Sequence, residues 1–208
     1  MARQTDPVCK ICRREGMKLF LKSTRCDTPK CAFERREYPP GMHQWKKGKP
    51  SSYGLRLREK QKLKRYYGVL ERPFRRLFRI ATRTPGNTGD ALLSLLERRL
   101  DNIVCRLGMA GSRAQARQLV RHGHIQVNRR RVDIPSFLVK AGDVISIKNR
   151  PASLNMVKPR FAESKPNLPD FLELTSTDPS EGRVARLPGG SDVSIPVQVQ
   201  LVVEMLSK

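Results

Sequence analysis

Residues 112–132, SRAQARQLVRHGHIQVNRRRV, constrain the fold more tightly than any other stretch of the chain. Ser112 followed by Gln115 is a capping-box start, in which each side chain satisfies a backbone N–H that the first helical turn leaves without a partner. Arg113, Arg117 and Arg121 recur every fourth residue and fall along one helical face. Ala116, Leu119 and Val120 take the opposite side, which suits packing against a core. Gly123 stands where a left-handed C-terminal cap belongs. Ile125 and Val127 then alternate with Gln126 and Asn128, the pattern of a half-buried strand. Arg129, Arg130 and Arg131 sit at the tip of the turn that follows. Helix, tight turn and strand thus aim cations from two elements at one place, and that place suits phosphates.

A lone helix with three arginines is ordinarily a solvated face, so the rest of the chain must decide. The 208 residues carry a formal charge of +23, with a pI near 10.7. Residues 1–68 hold 19 Lys and Arg against 6 Asp and Glu, and residues 69–150 hold 17 against 6. Residues 151–208 hold 6 against 7. Two thirds of the chain is therefore cationic and the last third is not, which makes a polyanion, nucleic acid first, the natural partner. A membrane surface competes for such charge, but no long apolar run or acyl-anchor signal accompanies it. The first 20 residues are polar and interrupted by charge, unlike a signal peptide, so a cytoplasmic location is expected.

Four of the five cysteines fall within the first 31 residues, as Cys9-x2-Cys12, thirteen intervening residues, then Cys26-x4-Cys31. Two close pairs across a short loop suit one tetrahedral zinc held by four thiolates. The segment between has few large apolar side chains, and metal binding would supply the missing folding free energy. Lys10, Arg13, Arg14 and Arg25 lie nearby in sequence and are expected to favour thiolate. A disulfide framework belongs to oxidising compartments, to which nothing here points. An iron–sulfur cluster is the remaining four-thiolate alternative. Cys105 reads differently, as a small core residue among Leu100, Ile103, Val104 and Leu107.

Past the cysteines, residues 34–54 are rich in Pro, Gly and cations and read as an extended arm. Lys46, Lys47 and Lys49 beside Trp45 and Tyr53 combine charge with rings for stacking. Ser51 or Ser52 caps a helix running to Tyr67 and ended by Gly68. Leu55, Leu63 and Tyr66 mark its inner side, while Arg56, Lys60, Lys62 and Lys64 are expected to stay free for phosphates. Pro73 opens a second helix in which Phe74, Leu77, Phe78 and Ala81 follow the i, i+3, i+4, i+7 rule. Residues 82–90 form a loop. One continuous helix is expected over 91–107, stopped by Gly108. Residues 132–147 form a small antiparallel sheet with a turn at Ala141-Gly142-Asp143. Residues 149–169 read as irregular, residues 170–195 as weak strands, and alternation makes the final VQVQLVVEML a strand.

Residues 97–136, ERRLDNIVCRLGMAGSRAQARQLVRHGHIQVNRRRVDIPS, resemble the RNA-binding domain of the ribosomal protein S-four family of the small subunit. That family's run of Ser-Arg, Gln-Ala-Arg, Gln-Leu-Val and His-Gly-His stands here as Ser112-Arg113, Gln115-Ala116-Arg117, Gln118-Leu119-Val120 and His122-Gly123-His124. Tyr38-Pro39-Pro40-Gly41 and Leu57-Arg58-Glu59-Lys60-Gln61-Lys62-Leu63 resemble the same family. One departure stands out: the family's hairpin usually has Asn-Gly, and this chain has Asn128-Arg129. Glycine makes a tight primed turn easy, so Arg129 predicts a looser turn or a strained one.

The resemblance implies several further things. It makes the end of the chain a helix returning to the first helical domain, against the alternation. It permits zinc without requiring it, since some members carry such cysteines and others lack them. It implies direct binding to small-subunit ribosomal RNA, organisation of a multi-helix junction in the 5′ domain, and early assembly. It also implies neighbours such as ribosomal protein S-five and other small-subunit proteins, a place near where messenger RNA enters, support of translational accuracy, and repression of its own translation in some members. An organellar ribosome remains an open alternative home.

The expected fold is α+β: a four-cysteine zinc arm and basic extension (1–45), a helical domain (46–92, closed by 196–208), and an inserted RNA-binding domain of helices on a small antiparallel sheet (93–195). The expected RNA contacts are Lys46, Lys47, Lys49, Tyr53, Arg56, Lys60, Lys62, Ser112, Arg113, Gln115, Arg117, Arg121, His122, His124, Asn128, Arg129, Arg130 and Arg131. RNA duplexes hide their base edges in a deep groove, so phosphate geometry rather than sequence should be read. No catalytic role or small-molecule substrate is expected. The chain has no Walker loop, no Gly-x-Gly-x-x-Gly and no His-Glu-x-x-His. Arg99-Leu100-Asp101 echoes the Arg-Leu-Asp of pseudouridine synthases, but Asp101 falls among core positions and no separate catalytic domain fits. The signature motifs of the aminoacyl-tRNA synthetases that borrow this domain are missing too. The competing non-enzyme reading is a zinc-containing DNA-binding regulator, in which Gln115 and Gln118 would read adenine. Charge spread over about 150 residues, rather than along one helix, weighs against it.

Overall fold

Short helices punctuate the cysteine-rich start of the chain in the computed structural model. These are α1 (Val8–Glu15), ended by Gly16 at φ 68°, a single 3-10 turn at Ser23–Cys26, and α2 (Ala32–Arg35). The structure describes residues 4–42, 48–49, 51–163, 168–177 and 180–207, so Trp45, Lys46 and Lys47 lie outside it. Met1–Leu92 with Ile195–Lys208 form one compact unit, and Leu93–Ser194 form another.

In the first unit the Ser51 hydroxyl accepts the Gly54 N–H at 3.1 Å and starts α3 (Ser52–Tyr66). Gly68, at φ 62°, follows its end. Leu63 and Tyr66 are buried as their spacing predicts, but Leu55 is 48% exposed. Spacing puts Leu55 on the same side, yet it stands in the first turn of the helix and stays largely in solvent. In α4 (Glu71–Ala81) the four periodic residues Phe74, Leu77, Phe78 and Ala81 are all buried.

The helix expected over 91–107 is instead two. α5 (Thr88–Glu97) ends, and α6 (Leu100–Arg106) begins, on either side of Arg98 and Arg99. The break has a tertiary cause. Arg99 is extended and bridges to Leu138, while Leu100 and Asp101 donate their N–H groups to Phe137 and Pro135 carbonyls at 2.9 and 3.1 Å. Val139 returns an N–H to the Arg98 carbonyl. The extended segment thus supplies the hydrogen bonds that a continuous helix would have made internally.

In the second unit α7 (Arg113–Arg121) leads into a five-stranded antiparallel sheet. Its strands are β1 (Ile125–Val127), β2 (Arg130–Arg131), β3 (Val144–Ile147), β4 (Leu172–Thr177) and β5 (Ser180–Val184), in the order β2-β1-β3-β5-β4. Leu100, Ile103, Leu107, Leu119, Val120, Ile125, Ile145, Phe171 and Val184 belong to one buried core. Packing there is close: a Cβ on Gly182 would lie 2.4 Å from Leu107 Cδ2. Between β3 and β4 the expected irregular stretch contains a helix, α8 (Pro151–Glu163). Pro151 presets the first helical φ, and Leu154 and Val157 supply an inward stripe, with Val157 fully packed. Pro159, inside the helix, made the composition look irregular. The observed class is α+β.

The chain ends in α9 (Val199–Ser207), a helix and not the strand that alternation suggests. It packs on α3 within the first unit, buries Val202, and places the Glu204 carboxylate 2.6 Å from Arg56 Nε. Alternation misleads because Val199, Val202, Val203 and Leu206 also satisfy a helical stripe.

Candidate nucleic-acid interface

The Ser112 hydroxyl accepts the Gln115 N–H at 3.3 Å, as a capping box requires. The reciprocal bond closes one residue early, with Gln115 Oε1 accepting from the Gly111 N–H at 3.1 Å. Gly123 has φ 74°, and its N–H and that of His124 bond back to the Val120 and Leu119 carbonyls. Glycine is needed there twice over, because a Cβ would also meet the Arg131 guanidinium, 2.5 Å from Nε.

The three spaced arginines of α7 do not act as one stripe. Arg113 donates to Asn102 Oδ1 at 2.8 Å. Arg117 is half-buried; burial lowers its pKa, the Asp101 charge opposes that, and Arg99 adds to it. Arg121 is exposed and makes no ion pair among the described residues. Beneath them lies a buried polar set that sequence reading missed. Arg99 grips Asp101 through two hydrogen bonds of 3.0 and 2.7 Å, each residue only 2% exposed. The Glu97 carboxylate accepts from Asn102 at 2.6 Å and from Arg106 at 2.9 Å. These partners face one another only after the helix breaks at Arg98 and Arg99.

At the hairpin tip, Asn128 and Arg129 have φ of 50° and 63°. The turn is therefore a tight primed one, and of the two alternatives the strained one is realised. Asn128 offsets part of this, its amide donating to Asp143 at 2.8 Å and its Oδ1 accepting the Val144 N–H at 2.9 Å. Arg129 has no such compensation among the described residues. Arg129→Gly should therefore stabilise the unit by about 0.5–1 kcal/mol, measured as a raised urea midpoint. A lowered midpoint would show that the side chain makes a stabilising contact. Arg129, Arg130 and Arg131 are all exposed.

The cations of α3 differ from expectation. Lys60 is buried and, with Lys64, bonds the Glu71 carboxylate at 2.8 and 3.0 Å; Lys62 pairs with Glu59 at 2.5 Å; Arg56 pairs with Glu204. None of the four stands free, because carboxylates from this helix, α4 and α9 converge on it. Burial acts to raise the Glu71 pKa, but hydrogen bonds from Lys60, Lys64 and Arg75 outweigh it and hold it at about 2. A carboxylate depressed in this way contributes stability above its unfolded pKa, about 4.5, which is lost as pH falls towards 2. The stability gap between the native chain and Glu71→Gln should accordingly be full at pH 6 and shrink below pH 4.5. A gap that does not change with pH would contradict the network. Lys49 is exposed, as is Tyr53 at 61%.

Sequence reading also passed over α4. Arg72, Arg75, Arg76 and Arg79, with Arg83 just beyond, are exposed on the side opposite its apolar stripe. Their spacing was legible, since it is the complement of the Phe74, Leu77, Phe78, Ala81 pattern. Only Arg75 among them is ion-paired within the described residues, to Glu71.

Gln115, Gln118, Leu119, His122, His124 and Met156 line a recess of about 190 Å³. His124 Nδ1 lies 2.9 Å from the hydroxyl of the buried Ser153, and the two imidazole rings are 6.2 Å apart. Burial first, and the His122 charge second, lower the His124 pKa.

Cys12, Cys26 and Cys31 are buried and Cys9 is half-buried. The expectation that nearby cations favour thiolate is corrected here. Burial pushes the Cys12 thiol up, with the charges of Cys26, Cys9 and Cys31 adding to it and the Leu19 N–H opposing. Burial likewise raises Cys26, although the Lys22 N–H donates to its sulfur at 3.3 Å. Arg13 and Arg14 point elsewhere, donating to the Tyr38 and Pro40 carbonyls at 3.0 and 2.9 Å. Thiolate is the donor type that soft divalent cations prefer, and backbone N–H groups approach two of the four sulfurs. Among the described residues, however, no three His, Cys, Asp or Glu side chains are drawn together as a ligand set.

Two family profiles match the chain: the ribosomal protein S4/S9 N-terminal domain over residues 3–97 and the S4 domain over 98–145. The small ribosomal subunit protein uS4 of Thermoanaerobacter sp. (strain X514) is 58% identical over 208 residues, covering all of both chains. Those of Pelotomaculum thermopropionicum and Thermodesulfovibrio yellowstonii are 54% and 53% identical, again over the whole of both chains. With both domain profiles matched in order and likeness extending from end to end, this chain belongs to the small ribosomal subunit protein uS4 family.

Proposed function

We propose that this chain is a structural, non-catalytic constituent of the small ribosomal subunit that binds its ribosomal RNA directly. The observation that carries the reading is the primed turn holding Arg129 and Arg130 in solvent, with Arg121 exposed on α7. Arginine forks suit phosphate oxygens and position a protein without reading bases. The exposed arginines of α4 give the first unit a cationic face of its own, so each unit can hold a different RNA helix. Two such grips would organise a multi-helix junction, the 5′-domain assembly role expected from the resemblance. Contact with ribosomal protein S-five and other small-subunit proteins, proximity to incoming messenger RNA, support of accuracy and autoregulation belong to the same proposal. So does residence on cytoplasmic ribosomes; no helix among the described residues is long and apolar enough to cross a membrane.

The test is footprinting on naked small-subunit ribosomal RNA, followed by binding across a salt series. Protection should centre on one junction. Replacing Arg121, Arg129 and Arg130 together by Ala should lower the salt slope by about 2–3 units, roughly one per lost phosphate contact. An unchanged slope would place these arginines off the RNA, and equal affinity for duplex DNA at the same salt would favour the regulator reading.

One zinc held by Cys9, Cys12, Cys26 and Cys31 is proposed alongside this. When bound, it would crosslink α1 to the segment ending at Cys31. Colour and iron content in the purified protein would instead indicate an iron–sulfur cluster.

A further inference from the structure

We infer that the recess lined by Gln115, Gln118, Leu119, His122, His124 and Met156 receives a single unstacked nucleobase of the bound RNA. This rests on the RNA-binding reading above and assigns to that surface a second kind of contact, to a base rather than to phosphate. The volume, about 190 Å³, is far more than the ~10–15 Å³ of such space that one water needs, so the recess has room for more than a single solvent molecule. Leu119 is buried, and Met156 is 50% exposed, so each can offer apolar contact. The imidazole rings can stack on a base, as aromatic side chains do when they hold bases splayed out of loops and bulges. His124 is the fixed ring, tied to Ser153, whereas His122 is exposed.

Recognition of a base edge needs donors and acceptors with no prior engagement. Gln118 is exposed and its amide makes no hydrogen bond among the described residues, so it offers one of each. The Gln115 carbonyl is occupied by the Gly111 N–H, which leaves its NH2 group to donate. Cations stand ready for the flanking phosphates. Exposed Arg121 precedes His122, and the Lys148 N–H bonds the His124 carbonyl at 2.7 Å, which sets the Lys148 backbone beside that of His124. A duplex RNA has no free base to insert, so the recess selects a bulged or looped nucleotide.

The experiment uses the full chain and naked small-subunit ribosomal RNA. Hydroxyl radicals report the backbone, and dimethyl sulfate with a carbodiimide reports base edges. The native protein should protect one unpaired base within its backbone footprint. Gln118→Ala and His122→Ala should each restore that base's reactivity, and loss of the His122 ring should weaken binding roughly 5- to 100-fold, in keeping with the stacking contribution of one base. Both side chains are exposed, and circular dichroism verifies that the variants fold. His122→Tyr, which keeps a flat ring, should retain protection. A backbone footprint containing no base that responds to residues 118 and 122 overturns the base pocket and leaves the RNA-binding reading standing. No backbone footprint with the native protein overturns both.

Discussion

Replacing Asp101 by Ala should destabilise the Leu93–Ser194 unit by about 3–5 kcal/mol, the usual cost of leaving a buried charge without its partner. Arg99 would lose both hydrogen bonds at a site where it is 2% exposed, and Arg117 would lose a nearby negative charge. The same carboxylate sits at the start of α6, whose first backbone N–H groups bond the 135–137 segment. Urea unfolding monitored by circular dichroism, with amide exchange at β1 and β3, measures the effect. Arg99→Met combined with Asp101→Leu should recover most of the loss, since an apolar pair of similar volume removes the orphaned charge. A loss below about 1 kcal/mol for Asp101→Ala would mean that water reaches Arg99. The pair also accounts for the Arg-Leu-Asp echo: the carboxylate is buried against its own arginine and is not presented to a substrate.

Chelation should have the other large effect, confined to one part of the molecule. If four thiolates hold zinc, its apparent binding free energy, about 10–16 kcal/mol in small zinc domains, is largely folding free energy for residues 1–35. Removing it should abolish amide protection in α1 and α2 while the Leu93–Ser194 unit unfolds at an unchanged urea midpoint. Glu15 transmits the change to α3. Its fully buried carboxylate lies 3.3 Å from Arg58 and 3.2 Å from Arg65, and loosening α1 would release both arginines to solvent. Burial raises the Glu15 pKa against the pull of Arg58, Arg65 and Lys62, so it has little reason to stay once α1 is free. Metal analysis should give one zinc per chain. Loss of both units on chelation, or protein that never carries metal, would contradict the arrangement.

The chain's own pattern determined its local elements. Apolar spacing placed the buried face of α4, Ser51 and Ser112 marked helix starts, and Gly123 marked the turn into β1. Each of these depends on groups within a few residues, which is the range over which propensity and period act. The candidate phosphate site was legible for the same reason, since Arg121 and Arg129–Arg131 lie within eleven consecutive positions.

Tertiary structure decided what pairs with what. The break at Arg98 and Arg99 is set by carbonyls some 35 residues later, at Pro135 and Phe137. The choice of helix for α9 came from the face α3 offered, and α8 formed despite Pro159 because Leu154 and Val157 had a core to meet. Most consequential for function, distant carboxylates took Arg56 and Lys60, while Arg113 turned to Asn102 and Arg121 remained exposed. A sequence shows how many cations a chain carries. Which of them keep their charge available to RNA is a long-range electrostatic outcome, settled only when the fold brings acids and bases within about 3 Å of each other.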